Sequence, residues 1–280
     1  CIWSSKEKKS YLVRDRVGIK PVYFSFFNGS FLFASEIKGV LTISESEGLN
    51  ESALSEWSYY GNPLRGETLH KNIKQLLPGH YIEVDIDTLE FTERRYWCPE
   101  LLHRSKPESQ SEIIKKVNKL VEGAVCRQLV SDVPVGVFLS GGLDSSTITA
   151  FAARNYGKPI NTFSVGFDFE HGVGELPKAA LVAKEFQTNH HELRVSGYDI
   201  ADTVQKMVYH HDSPFSDAAN IPLYLLGQEV KDSVKVVLQG DGGDEIFGGY
   251  GRYATLSNRF LWRSFAPCVA KLHKTLGGSS

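Results

Sequence analysis

The chain has 280 residues, 41% hydrophobic and 23% charged, with Lys+Arg 31 against Asp+Glu 33 and a formal net charge of −2. This is ordinary globular usage, which excludes a disordered or collagen-like chain. The near-neutral balance offers no global field for nucleic acid or an anionic membrane, and no run approaches the roughly 18 apolar residues of a membrane span.

In chain order, CIWSSKEKKSYLVRDR reads as a strand, a polar turn and a second strand. It opens with no Met, charged n-region or apolar h-region, so it does not look like a signal peptide, and the chain reads as an excerpt that begins inside a sheet. Short strands are expected at 11–14, 21–27 and 30–34, the last two joined at Asn28-Gly29, residue types that tolerate the positive φ of a tight hairpin. A helix is expected over 51–60 with Asn50 as its N-cap, and a second hairpin over 81–85 and 90–94. The polar stretch 98–111 holds two prolines and reads as a linker.

The pattern then changes. Ile113, Val117, Leu120, Val121 and Ala124 recur at helical spacing behind a capping-box signature, Ser109-x-x-Glu112. Apolar runs at 133–139, 160–165 and 234–238 alternate with helical patterns around 145–154, 175–186 and 200–210. Continuous apolar strands alternating with helices predict a parallel sheet covered on both faces. The expected organisation is a β-rich piece at 1–97, a linker at 98–111 and an α/β domain at 112–280.

Chemistry concentrates at the ends of those apolar runs. Ser140-Gly141-Gly142-Leu143-Asp144-Ser145-Ser146 follows the first. Strand, glycine turn, helix presents free backbone N–H groups to an anion, and the hydroxyls of Ser140, Ser145 and Ser146 add donors. No Lys follows, so this is not a Walker A loop. Asp144 beside phosphates calls for a bridging cation, which points to Mg²⁺. The competing reading is a tight turn with Ser and Asp helix caps. Gly240-Asp241-Gly242-Gly243-Asp244-Glu245 follows the last apolar run and gathers three carboxylates, costly without a cation unless the loop is simply solvated. A third strand-end, residues 163–168, reads either as a nucleobase slot or as a core strand with a turn.

VGVFLSGGLDSS with VVLQGDGGDEIFGGY resembles the synthetase domain of the glutamine-hydrolysing asparagine synthetases, and SGGLDSS is similar to the pyrophosphate-loop (PP-loop) signature of ATP pyrophosphatases. RDRVGIKPVYF and FLFASEIKGVL resemble the latter part of a class II glutamine amidotransferase domain, and RYWCPE lies where that domain hands over to the synthetase. The resemblance covers nearly the whole chain. It implies an α/β protein: part of a β-rich, N-terminal-nucleophile-type domain, then a parallel-sheet, adenine-nucleotide α-hydrolase-like (Rossmann-like) PP-loop domain. The implied reaction converts aspartate, glutamine or ammonia, and ATP to asparagine, glutamate, AMP and pyrophosphate through a β-aspartyl-adenylate.

By the same resemblance, Ser140, Gly141, Gly142, Asp144, Ser145 and Ser146 hold the pyrophosphate. Leu139, Val165 and Gly240 line the adenosine site, Gln239 and Asp241 complete the nucleotide loop, and Asp144 and Asp244 ligate Mg²⁺. The implied partners are small molecules, with no nucleic acid and no membrane, in the cytoplasm; a homodimer is left open. Four scattered cysteines with no CxxC pair (Cys1, Cys98, Cys126, Cys268) fit that reducing compartment. Alternatives are a related PP-loop or β-lactam-synthetase-like enzyme acting on another carboxylate, and a nucleotide-binding remnant without chemistry.

The chain departs from the family pattern in places. Cys1-Ile2-Trp3 reads as a strand residue well downstream of the family's N-terminal nucleophile, so the nucleophile is expected upstream, and Arg14, Asp15, Arg16, Gly18 and Lys20 are expected to brace the sheet. In His211-Asp212-Ser213-Pro214, Ser213 stands where relatives commonly have Glu, leaving Asp212 as the candidate acid/base or, alternatively, a cap before Pro214. Gln239 stands where relatives often have Ser, and the 172–180 segment GVGELPKAA lacks the usual acidic character. The doublets His190-His191 and His210-His211 lack metal-ligand spacing. A lysine that the family uses in adenylation has no counterpart that can be mapped in this chain.

Overall fold

The computed structural model describes residues 1–99, 108–167, 174–195, 197–217, 219–251 and 253. In chain order the strands and helices are β1 (Ile2–Ser4), β2 (Lys9–Val13), β3 (Tyr23–Phe27), β4 (Ser30–Ala34), α1 (Ile37–Leu41), α2 (Glu51–Tyr60), β5 (Lys74–Gln75), β6 (His80–Asp85) and β7 (Phe91–Arg95). There follow α3 (Gln110–Gln128), β8 (Val135–Phe138), α4 (Leu143–Asn155), β9 (Asn161–Phe167), α5 (Glu175–Glu185), β10 (Asn189–Val195), α6 (Gly197–His211), α7 (Asn220–Val230), β11 (Val236–Leu238) and α8 (Gly243–Phe247). They divide into two compact units: Cys1–Glu108 with Ser196–Leu225, and Ser109–Val195 with Leu226–Ser280. Residues 196–225 thus fold with the first unit, although the sequence pattern places them in the α/β part.

The first unit is built on two antiparallel sheets, ordered β1-β2-β6-β7 and β4-β3-β5. Period-two alternation puts Leu12, Ile82 and Val84 on one face, where they pack with Phe24 and Leu76. Asn28 and Gly29 take positive φ at the β3–β4 hairpin, as their residue types predict. Asn50 caps α2 by accepting from the Ala53 N–H at 3.2 Å, and the helix ends on left-handed Gly61.

Arg14 is buried, and its guanidinium donates to three carbonyls: Nε to Lys20, Nη1 to Leu76 and Nη2 to Gly18. Asp15 accepts from the Ile19 and Lys20 N–H groups. This stretch ties a polar turn to the sheet.

The second unit carries one parallel sheet, ordered β10-β9-β8-β11. Val137 faces α3 and α4, where it packs with Val125, Ala152 and Ile160. Its neighbour Phe138 points to the opposite face, beside Phe163, Leu226, Val230 and Val234. Two-faced burial explains the uninterrupted apolar run of β8. The capping box at the start of α3 is formed in full by Ser109 and Glu112. Only the end of that helix is packed, however: Val125 is buried while Ile113 and Leu120 face outward. Cys268 lies outside the described residues. Among the described residues no helix is long and apolar enough to cross a membrane.

Candidate nucleotide site

In the second unit the chain leaves β8 through Leu139 and Ser140, turns at Gly141 and Gly142 and enters α4. Leu139 is 1% exposed and packs on Ala179 and Ala183 of α5, so only its backbone reaches the loop. Its N–H donates to the Phe163 carbonyl at 2.8 Å, and the Ser164 hydroxyl donates to its carbonyl, which fastens the loop base to β9.

Two of the three hydroxyls expected to face a ligand instead build the turn. Ser140 Oγ and Ser145 Oγ lie 2.9 Å apart, Ser140 Oγ accepts from the Gly142 N–H, and Ser145 Oγ accepts from the Ser140 N–H. Ser145 is buried and Ser146 half-buried. Gly141 has φ +77°, and a Cβ there would lie 2.6 Å from Lys178 Cβ and 2.7 Å from the Ala179 nitrogen. The packing of α5 against this turn was not legible from the glycine pair alone.

No side chain caps α4, in contrast to α2 and α3. Its first N–H groups therefore stay open to an incoming anion, with the positive end of the helix behind them. This is the arrangement the sequence pattern predicts, delivered by backbone more than by hydroxyls.

The loop after β11 comes to the same place, because β11 pairs in parallel with β8, Leu238 opposite Val137. A Cβ on Gly240 would lie 3.0 Å from Asp144 Cβ and 3.2 Å from the Ser145 nitrogen. One on Gly243 would lie 2.5 Å from Asp144 Oδ2. The glycines thus make the cradle in which the Asp144 carboxylate sits, and Asp244 is the next residue along. Gln239 donates its amide to the Asp241 carboxylate, so its side chain is held within its own loop.

Among the described residues no three His, Cys, Asp or Glu side chains gather to hold a metal ion. Two carboxylates carried by adjoining loops, with open N–H groups beside them, are nevertheless what Mg²⁺ takes when phosphate oxygens and water complete its shell. The residues present fit that cation.

The third strand-end behaves mainly as core. Phe163 is buried and Val165 packs against the same cluster. A cleft of about 270 Å³ opens beside it, lined by Gly166, Phe167, Leu176, Pro177, Glu192 and Arg194. Asp168, Gly172 and Val173 lie outside the described residues. His190 is held by Thr162 at Nδ1, and burial lowers its pKa.

Asp212 belongs to the first unit. It follows α6 with a positive φ, and both of its oxygens are engaged: Oδ2 accepts from the Ile37 N–H at 2.7 Å and Oδ1 pairs with Lys38 Nζ at 3.0 Å. Burial pulls the Lys38 ammonium down, but its hydrogen bonds and charge pairing with Glu36 and Asp212 outweigh that and raise it above the ordinary lysine value.

Residues 116–277 match the family model described as asparagine synthase. The chain belongs to the asparagine synthase family. Residues 1–97 match a second model, described as a glutamine amidotransferase domain. Two Bacillus subtilis proteins illustrate the similarity. Asparagine synthetase (glutamine-hydrolyzing) 3 is 34% identical over 279 residues, covering 93% of this chain and 45% of that protein. Asparagine synthetase (glutamine-hydrolyzing) 1 is 32% identical over 252 residues, covering 90% of this chain and 39% of that protein. The chain spans less than half the length of these curated relatives. Both glycine-rich loops fall inside the asparagine synthase match, and the Arg14 brace falls inside the amidotransferase match.

Proposed function

We propose that the protein of which this chain forms the described part makes asparagine from aspartate and ATP, with glutamine or ammonia as nitrogen source, in the cytoplasm. Residues 1–97 derive from the amidotransferase domain, 98–111 link, and 112–280 open the synthetase domain. The observation that carries the reading is the uncapped start of α4 with Asp144 cradled by Gly240 and Gly243. A triphosphate and its cation need N–H donors and carboxylates in that juxtaposition.

The aspartate β-carboxylate attacks the α-phosphorus of ATP, the bond from that phosphorus to the bridging oxygen breaks, and pyrophosphate departs. Backbone N–H groups at Leu143, Asp144 and Ser145 would take up the charge that grows on it. Asp144 and Asp244 would hold a Mg²⁺, which would neutralise charge on the phosphates. The backbones of Leu139, Val165 and Gly240 would bound the adenosine end, and Gln239 with Asp241 would shape the loop beside it. Ammonia then attacks the acyl carbon, AMP leaves, and a base removes a proton from nitrogen.

The test is product analysis in the intact protein. Asparagine, AMP and pyrophosphate should appear in equal amounts when aspartate, ammonia and Mg-ATP are present together. ADP with inorganic phosphate, or AMP formed equally well without aspartate, would contradict it.

A further inference from the structure

The ion pair between Asp212 and Lys38 is one of several bonds by which residues 209–216 grip residues 37–61. Asp212 takes the Ile37 N–H, and Lys38 Nζ also reaches the His210 carbonyl at 3.5 Å and lies 5.3 Å above the Tyr209 ring. The Trp57 indole N–H donates to the Pro214 carbonyl at 3.0 Å, and the Ser216 hydroxyl donates to the Gly61 carbonyl at 3.1 Å. Glu36 offers α1 no side-chain cap of its own, so the carboxylate from 175 residues away takes that place. The Asp212 side chain is 9% exposed, too covered to exchange partners freely with solvent.

The gripping residues lie in the stretch that matches asparagine synthase, and the gripped residues in the stretch that matches the amidotransferase, yet all belong to one compact unit. We infer that Asp212 is a positioning residue rather than the acid/base: its two oxygens clasp α1 and hold the 209–216 segment in register with the amidotransferase stretch. Resting on the function proposed above, this assigns the clasp to keeping nitrogen release and amide formation together, so that ammonia made from glutamine is used before it escapes.

Amide exchange at Ile37 reads the clasp without reference to any reaction. Lys38→Met and Asp212→Asn should each speed that exchange about tenfold, and the double variant should go little further, because both act on one link. Unchanged exchange in both single variants, or fully additive changes, would overturn the clasp.

In the intact protein, Lys38→Met should lower glutamine-supported amide formation about fivefold, the scale of one ion pair, while the ammonia-supported rate holds. Adding Asp212→Asn to Lys38→Met should leave that ratio unchanged. A further hundredfold loss of the ammonia-supported rate on adding Asp212→Asn would instead make Asp212 the acid/base. Should the unaltered protein form amide from neither source, the proposed reaction fails, and the exchange series still decides the clasp.

Discussion

Asp144→Asn should weaken magnesium-dependent ATP binding by about 10–100-fold, the equivalent of the roughly 1.5–3 kcal/mol carried by a charged hydrogen bond or ligand. The amide keeps the shape that fits beside Gly240 and Gly243, so the melting temperature should stay close to that of the unaltered protein. Without Mg²⁺ the sign reverses. The carboxylate then repels the triphosphate, and its removal should leave binding equal or slightly tighter. Calorimetric titration with and without Mg²⁺ separates these outcomes. Equal magnesium dependence in both proteins would remove Asp144 from the metal site.

Gly141→Ala should destabilise the second unit by on the order of 2–4 kcal/mol and abolish ATP binding at concentrations that saturate the unaltered protein. The new Cβ meets two obstacles. A φ of +77° costs an L-residue about 1–2 kcal/mol. In addition, the methyl would lie 2.6 Å from Lys178 Cβ and 2.7 Å from the Ala179 nitrogen, so α5 or the loop must move. Gly157 supplies the control, since it has nearly the same φ, +78°, and nothing within 4 Å of its Cβ position. Gly157→Ala should cost only the backbone strain, about 1–2 kcal/mol, and leave binding intact. Equal losses in the two variants, measured by thermal unfolding, would show that the packing of α5 on the turn is unimportant.

The two glycine-rich loops were legible in the sequence because their chemistry is local. Residue type and spacing alone put backbone donors and a carboxylate at a strand end. The hairpin at Asn28-Gly29 and the capping box at Ser109 were legible for the same reason. What escaped was set by distant packing. β10, NHHELRV, carries few apolar residues because it is the edge strand of its sheet and mostly exposed, so it does not look like its buried neighbours. α7 contains Pro222 and Gly227, which read as breakers, yet burial of Leu226 and Val230 holds the helix. The five-residue α1 is too short to show a period and is held by Ile37 and Val40 against Ile73. The partners of Asp212 lie 175 residues away, beyond any local pattern. The Ser140 and Ser145 hydroxyls are close in sequence, but their mutual bond depends on the turn already being closed.

Aspartate-dependent exchange of labelled pyrophosphate into ATP is the measurement closest to the central claim, because it requires only carboxylate activation and the two loops, not the nitrogen source. Formation of a β-aspartyl-adenylate predicts exchange that needs both aspartate and Mg²⁺ and falls at least tenfold in Asp144→Asn. Exchange that proceeds without a carboxylate, or none at all from the intact protein under conditions where it binds Mg-ATP, would contradict adenylation as the chemistry of this site.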